Sequence, residues 1–395
     1  MNIIVCTSLD LEIPCAAINR IEHLKNALEP LDVKIFTCGS SGSLTKNYHF
    51  KNDKIFFKKT NKYRFLPKSV KYNANAEIFY KKYLGNLIST LNIQGIIIYS
   101  MFSTLIEPIT EIARELKIFV INDGGEKYSV NLQNIVNGIN YMQYRAIFYS
   151  FKKLDGLMVC SPRWRKYAKS IGKPSIFFPS FMPNEDYSKG DELKKINKNF
   201  NVIFMGSLSP REKPESIFEA ISLCNQFGYN FKLIVIGKQG FNFVQKISHN
   251  LIRIKFRNNK NIKFTGFISK TKKNNLLKSA GCFVLLRPSC KETFHLFPTR
   301  LPEYFQTKRP VVISKVEPFS IFYKHKKEVY FINKNNNSKD LADAFIDLYN
   351  NPKLSKKIGM NGKRYAEKNY SYDTLGPRIK NFIDKIFLIK NLEIT

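Results

Sequence analysis

Near residue 300 the chain combines residue types suited to holding a phosphorylated ligand. Pro298, Thr299 and Arg300 fall in one turn, and Glu303 follows about one turn later. Proline suits the first turn of a helix and threonine can cap one. Arg300 adds a fixed positive charge, so the turn offers backbone N–H groups and a cation to a diphosphate. A carboxylate at Glu303 can accept hydrogen bonds from two vicinal hydroxyls, as acidic residues do with ribose in dinucleotide sites. The plainer alternatives are a solvated helix charge for Glu303, capping alone for Thr299 and packing for Tyr304.

A second group lies upstream. Gly206 ends an apolar run and permits close backbone approach, Ser207 follows it, and Arg211-Glu212-Lys213 places two cations within one loop. Gly237 ends the apolar run Lys232–Ile236. In the first half, Pro14–Arg20 brings small residues, Ala16 among them, to the junction of a strand and a helix. Asn122-Asp-Gly-Gly-Glu126 follows another apolar run, which makes Asp123 and Glu126 candidates to bind an acceptor or take a proton; a polar turn is the alternative.

The elements that must position these residues read as alternating α/β. Strands are expected at 2–7, 33–37, 95–99, 118–121, 156–160 and 175–178, then at 202–205, 232–236, 262–265, 282–286, 310–314 and 328–332. Helical periodicity covers 16–28, 76–91, 106–116 and 131–153 in the first half. In the second it covers 214–227, 271–279, 301–306, 338–349, 353–369 and 371–388, with Gly376-Pro377 expected to break or kink the last. Strands alternating with helices imply parallel sheets. The polar stretch between 182 and 200 reads as a linker, and 395 residues suit two domains of roughly 150–200 residues each.

Three segments then carry a resemblance. They are Phe204-Met-Gly-Ser-Leu-Ser-Pro-Arg-Glu-Lys-Pro-Glu-Ser-Ile-Phe-Glu-Ala220, Lys232-Leu-Ile-Val-Ile-Gly-Lys-Gln-Gly240 with Ile262–Phe267, and Phe297-Pro-Thr-Arg-Leu-Pro-Glu-Tyr-Phe-Gln-Thr-Lys-Arg-Pro-Val-Val312. Together they are similar to family 4 glycosyltransferases of the GT-B fold, of the bacterial surface-polysaccharide type. The resemblance implies two Rossmann-like domains facing each other across a cleft. It implies an acceptor-binding domain at 1–185, a linker at 186–200, a nucleotide-sugar domain at 201–370 and a helix at 371–395 returning to the first domain.

It also implies roles. Glu303 would hold the donor ribose, and Gly206, Ser207, Arg211, Lys213, Gly237, Pro298, Thr299 and Arg300 would complete the donor site. Ala16, Arg20 and Glu126 would face the acceptor, and His295, Asp123 and Glu126 would serve the chemistry. The sequence departs from the family in two places. Ser207 stands where an arginine usually follows the glycine. The first of two glutamates separated by seven residues would fall on His295, with Glu292 three residues earlier. The implied reaction moves a sugar from a nucleoside diphosphate, UDP or GDP, to a hydroxyl of a glycan or lipid-linked acceptor. It retains anomeric configuration and uses no metal or cofactor; the departing phosphate oxygen takes the acceptor proton.

Composition bounds the partners. The formal net charge is +33, from 64 Lys+Arg against 31 Asp+Glu. A biased genome composition, attachment to an anionic leaflet and nucleic-acid binding would each produce it. The basic residues are dispersed and no nucleic-acid motif is present, so nucleic acid is not an expected partner. Seven cysteines without a CxxC or Cys/His cluster indicate neither a disulfide framework nor a zinc site. No apolar run reaches the ~18 residues of a membrane span and the start reads as a strand rather than a signal peptide. The expectation is a cytoplasmic protein with peripheral contact at an anionic membrane. Rival readings are a basic nucleic-acid-binding protein, a non-sugar or inverting transferase, and an inactive partner subunit on the same fold.

Overall fold

A computed structural model of the chain describes all residues except 14, 43, 45–46, 59–67, 125–129, 131–134, 137, 184–186, 188–199, 207, 238–253, 255, 257–258 and 394–395, with backbone only at 68–72 and 210. Most of the expected linker, together with Pro14, Glu126 and Ser207, lies outside the described residues. The described chain divides into two units. One comprises Met1–Phe181, His295–Phe297 and Ser371–Thr395; the other comprises Met182–Phe294 and Pro298–Tyr370.

The first unit contains β1 (Asn2–Asp10), α1 (Ala16–Leu28), β2 (Lys34–Ser41), β3 (Tyr48–Lys51), β4 (Lys54–Lys58), α2 (Lys68–Thr90), β5 (Gly95–Ile98), α3 (Ser103–Glu115), β6 (Phe119–Gly124), α4 (Ile139–Phe148), β7 (Gly156–Val159), α5 (Pro162–Ser170) and β8 (Ser175–Phe177). Its eight-stranded sheet runs β3-β4-β2-β1-β5-β6-β7-β8, parallel except for β3 against β4. Central strands such as Gly95-Ile-Ile-Ile98 are buried along their whole length, which is why they read as unbroken apolar runs.

The sequence reading misses the β3–β4 hairpin. Lys51 pairs with Lys54 across Asn52-Asp53, and Asn52 takes a left-handed φ of 54°. β3 buries no residue and β4 reads Lys-Ile-Phe-Phe-Lys, so neither short strand shows an alternation in its residue types. β4 nonetheless buries Ile55 and Phe57, and Phe57 stacks on Phe79 with ring centres 4.6 Å apart.

The second unit contains β9 (Phe200–Met205), α6 (Pro214–Gln226), β10 (Phe231–Ile236), β11 (Ile262–Gly266), α7 (Lys270–Lys278), β12 (Cys282–Leu285), α8 (Lys291–Phe294), α9 (Leu301–Gln306), β13 (Val311–Ser314), α10 (Phe319–Phe322), β14 (Tyr330–Ile332), α11 (Ser338–Asn350) and α12 (Pro352–Tyr370). Its parallel six-stranded sheet runs β11-β10-β9-β12-β13-β14. Counted from β9, that is the doubly wound Rossmann order, with the switch point between β9 and β12. Phe204, Val235, Val284 and Val312 of the sheet join Ile217 and Phe218 of α6 and Phe345 of α11 in one core.

The chain ends in α13 (Tyr372–Leu392), which belongs to the first unit. Ser371 caps it, accepting the Thr374 N–H. Leu375, Ile379, Ile383 and Ile386 are buried in one cluster with Ile3, Val5 and Leu24. The helix does not end at Pro377, which corrects the expected break. Gly376 lies against α1 so closely that a Cβ would stand 2.9 Å from the Ala27 carbonyl oxygen. Burial of this apolar stripe outweighs the one hydrogen bond the proline removes.

Candidate functional site

The carboxyl ends of β9, β10 and β12 meet at the switch point of the second unit, where open α/β sheets bind ligands. Gly206 and Gly237 follow β9 and β10 directly, with φ of 149° and 153°. The Gly206 N–H donates to the Ile236 carbonyl at 2.8 Å. A Cβ on Gly237 would stand 2.3 Å from the Gly206 carbonyl oxygen, and one on Gly206 would stand 2.0 Å from Arg300 Nη1. Both positions therefore exclude side chains.

Arg300 brings its guanidinium to the end of β9. Nη1 donates to the Met205 carbonyl and Nη2 to the Glu212 carboxylate. Glu212 also accepts from Arg287 Nη1, so one buried carboxylate lies between two arginines. Burial by itself would raise the Glu212 carboxyl; the two guanidiniums outweigh it and hold the group below its ordinary value of 4.5. Arg287 follows β12 and is fixed through its backbone: its N–H donates to Ser314 Oγ at 2.8 Å and its carbonyl accepts from Asn336 Nδ2 at 2.8 Å. Among the described residues the buried Arg287 Nε has no hydrogen-bond partner.

Glu303 lies in α9, three residues beyond Arg300. It is buried, and Oε1 accepts from Lys273 Nζ of α7 at 2.5 Å and from the Tyr187 hydroxyl at 3.3 Å. Tyr304 is packing, as its plainer reading has it: the ring stacks on Phe283 at 4.2 Å and the hydroxyl accepts the Met205 N–H.

Two expectations change here. α9 begins at Leu301, so Pro302 is the first-turn proline and Arg300 occupies the cap position without a side-chain capping bond. Pro298 is buried and Thr299 exposed in the preceding turn, so Thr299 does not cap the helix. Arg211 and Lys213 are both exposed on their loop while Glu212 between them turns inward.

In the first unit, Arg20 and Asp123 are expected to act separately on an acceptor, and the structure pairs them with each other. Arg20 Nε and Nη2 donate to the two Asp123 oxygens at 2.8 Å each, with the side chains only 6% and 2% exposed. Arg20 also donates to the carbonyls of Phe178 and Pro179 and lies 3.7 Å from the centre of the Phe178 ring. Both Asp123 oxygens are thus occupied by Arg20. The pair ties α1 and β6 to the segment after β8. Ala16 is the exposed first residue of α1. His295 groups with this unit: its carbonyl accepts from Trp164 Nε1 at 3.1 Å, and its ring meets the Trp164 ring edge-on at 5.2 Å.

Sequence reasoning misses Arg287, Glu212, Lys273 and Tyr187. Arg287 had a legible signal, a charge immediately after an apolar strand, where α/β sites gather. Lys273 and Tyr187 are distant in sequence from Glu303 and have no local signal.

Comparison with known proteins is consistent with this geometry. Residues 188–365 match the family model described as Glycosyl transferases group 1. An uncharacterized glycosyltransferase of Methanocaldococcus jannaschii is 26% identical over 182 residues, 46% of this chain and 45% of the relative. The match thus spans about half the length of that curated relative. Among solved structures, sucrose-phosphate synthase from Thermosynechococcus elongatus is similar with a TM-score of 0.73 at 11% identity, covering 98% of this chain and 99% of the other. Anabaena HepE in complex with UDP-glucose is similar with a TM-score of 0.68 at 13% identity, covering 98% and 100%. At such identities the solved structures speak for the fold alone. Residues 188–365 thus resemble a group 1 glycosyltransferase domain, and the chain has the two-sheet GT-B fold.

Proposed function

We propose that the chain is a retaining glycosyltransferase that moves a sugar from a nucleoside diphosphate to a hydroxyl of a glycan or lipid-linked acceptor in cell-surface polysaccharide synthesis. The observation that carries this reading is the corner at the β9–β12 switch point. Two side-chain-free turns, Gly206 and Gly237, let the strand ends close up against each other and against the Arg300 guanidinium, while the buried Glu303 carboxylate stands three residues further along. Glu212 holds Arg300 and Arg287 in place, so positive charge is preorganised where leaving-group charge would grow. Exposed Arg211 and Lys213, with Ser207, Pro298 and Thr299, serve the same diphosphate on this reading. Glu303 accepts from the ribose hydroxyls, and the bond from Lys273 Nζ holds its carboxylate aimed.

UDP is the favoured nucleotide, because HepE carries UDP-glucose on the same fold. His295 or Glu292 contacts the transferred sugar in place of the family's first glutamate, and Ala16 and Glu126 face the acceptor. The departing phosphate oxygen takes the acceptor proton, so no protein nucleophile is needed and no metal or cofactor is assigned. The protein works in the cytoplasm, attached peripherally to an anionic leaflet by its +33 charge.

The test is a donor screen on purified protein with UDP-, GDP-, ADP- and CMP-sugars, read as thermal stabilisation, hydrolysis and product stereochemistry. A UDP-sugar is expected to stabilise and turn over with retained configuration. Glu303→Ala is expected to raise donor KM or abolish turnover, at a cost of about 1.5–3 kcal/mol for a lost charged hydrogen bond. Wild-type kinetics in that variant would remove the basis of the reading.

A further inference from the structure

The helix α4 carries its aromatic residues on the wrong side for an ordinary surface helix. Its inner face, Met142, Gln143, Ala146 and Ile147, is buried in the first unit. Its outer face repeats at helical spacing through Tyr141, Tyr144, Arg145 and Phe148, and continues into Tyr149 just past the helix end. The solvent face of a surface helix is normally charged or polar. Here Tyr141 is 68% exposed, Phe148 56% and Tyr149 67%. Tyr144 and Phe148 stack on each other in solvent, with ring centres 6.0 Å apart and planes within 8°. Contiguous exposed apolar surface of this kind marks an interaction site.

The charges around the face indicate what covers it. Arg145 lies within the aromatic row, fixed by two bonds to Glu107 at 2.8 and 2.9 Å, and Lys152 and Lys153 are exposed immediately beyond it. Lysine and arginine stems can lie along apolar surface while their charges reach for phosphate, and tyrosine has an apolar body with a polar tip. At ten residues α4 is about 15 Å long, far short of a span, and no helix among the described residues is long and apolar enough to cross a membrane. Exposed aromatic rings beside lysines suit the plane of a headgroup layer.

We propose that the Tyr141–Tyr144–Phe148–Tyr149 face of α4, with Lys152 and Lys153, docks the protein on an anionic lipid surface. This rests on the reading of peripheral attachment and gives that attachment a location. The aromatic rings supply interfacial burial, and the lysines supply the preference for anionic lipid.

The test uses the full chain and vesicles of phosphatidylcholine with or without phosphatidylglycerol, read by co-sedimentation at low and high salt. The unmodified chain is expected to bind the anionic vesicles and to release as salt rises. Tyr141→Ser/Tyr144→Ser/Phe148→Ser is expected to weaken binding at least tenfold with the thermal midpoint unchanged. Lys152→Glu/Lys153→Glu is expected to abolish the preference for phosphatidylglycerol. In case the triple variant does not fold, Tyr144→Trp provides an independent readout, with an emission blue shift expected on adding anionic vesicles. Undiminished binding by the triple variant, or unchanged emission from Tyr144→Trp, overturns the location while leaving peripheral attachment standing. Failure of the unmodified chain to bind overturns both. A self-associated species that the triple variant disperses, without vesicle binding, would show that a second copy covers the face. UDP binding measured in parallel decides the donor reading separately.

Discussion

At the scale of single residues, the most constrained group is Glu212, a buried carboxylate shared by Arg287 and Arg300. Removing one member of a buried ion cluster leaves the others uncompensated, which costs about 3–5 kcal/mol. Glu212→Gln is therefore expected to lower stability by about that amount in denaturant unfolding and to weaken diphosphate binding by releasing Arg300. The pH dependence has a definite sign. The carboxyl is held below its ordinary value of 4.5, so its contribution is complete above that value and is lost as pH falls through the lowered folded value. The stability gap between wild type and Glu212→Gln should be constant near neutrality and shrink in acid below pH 4.5. A gap that instead closes between pH 6 and 8 would assign the effect to another group.

At the scale of elements, the strand ends carry the design. β9 and β10 run parallel in register from Phe200 and Phe231 to Met205 and Ile236, then both turn at glycine. Gly237 is the more demanding of the two. A Cβ there would press on backbone, the Gly206 carbonyl oxygen, whereas at Gly206 it would press on the end of the Arg300 side chain. Gly237→Ala should destabilise by roughly 1–3 kcal/mol through strained φ and backbone displacement. Gly206→Ala should show the larger loss of nucleotide binding relative to its loss of stability, because it displaces Arg300. Thermal melts paired with UDP titrations of the two variants distinguish these outcomes; identical ratios would contradict the assignment.

At the scale of the molecule, the last helix completes a unit that begins at residue 1. α13 supplies Leu375, Ile379, Ile383 and Ile386 to the core formed by β1, α1 and β2, and Lys390 pairs with Asp155 at 3.0 Å. Each buried aliphatic side chain contributes about 1.5–3 kcal/mol, so loss of four is comparable to the whole stability of a typical domain. Truncation after Tyr370 should leave the first unit loosely packed, seen as dye binding to exposed apolar surface and loss of transferase activity. The second unit should keep its nucleotide affinity, since Gly206, Gly237, Arg287, Arg300 and Glu303 all precede the cut and belong to that unit. Full activity in a soluble truncated protein would show that α13 is dispensable.

The alternation of strands and helices was legible in the residues themselves. Short apolar runs buried on both faces and amphipathic helices leave period signals that local reading detects, so every expected strand has its counterpart in the two sheets. The glycines after strands and the Arg300–Glu303 spacing were legible for the same reason: each is a local pattern. The β3–β4 hairpin was not, because β3 buries no residue and β4 is a short unbroken Ile-Phe-Phe run, so neither carries a two-residue period. The partnerships were not legible either. Glu212 reads as one more charge in a basic loop, yet it faces two arginines 75 and 88 residues away. Asp123 reads as a reactive group at a strand end, yet Arg20, 103 residues earlier, occupies both its oxygens. Local sequence determines what each segment becomes and which residue types stand at strand ends. Which charges neutralise one another depends on strand order, and strand order is set by burying whole sheets.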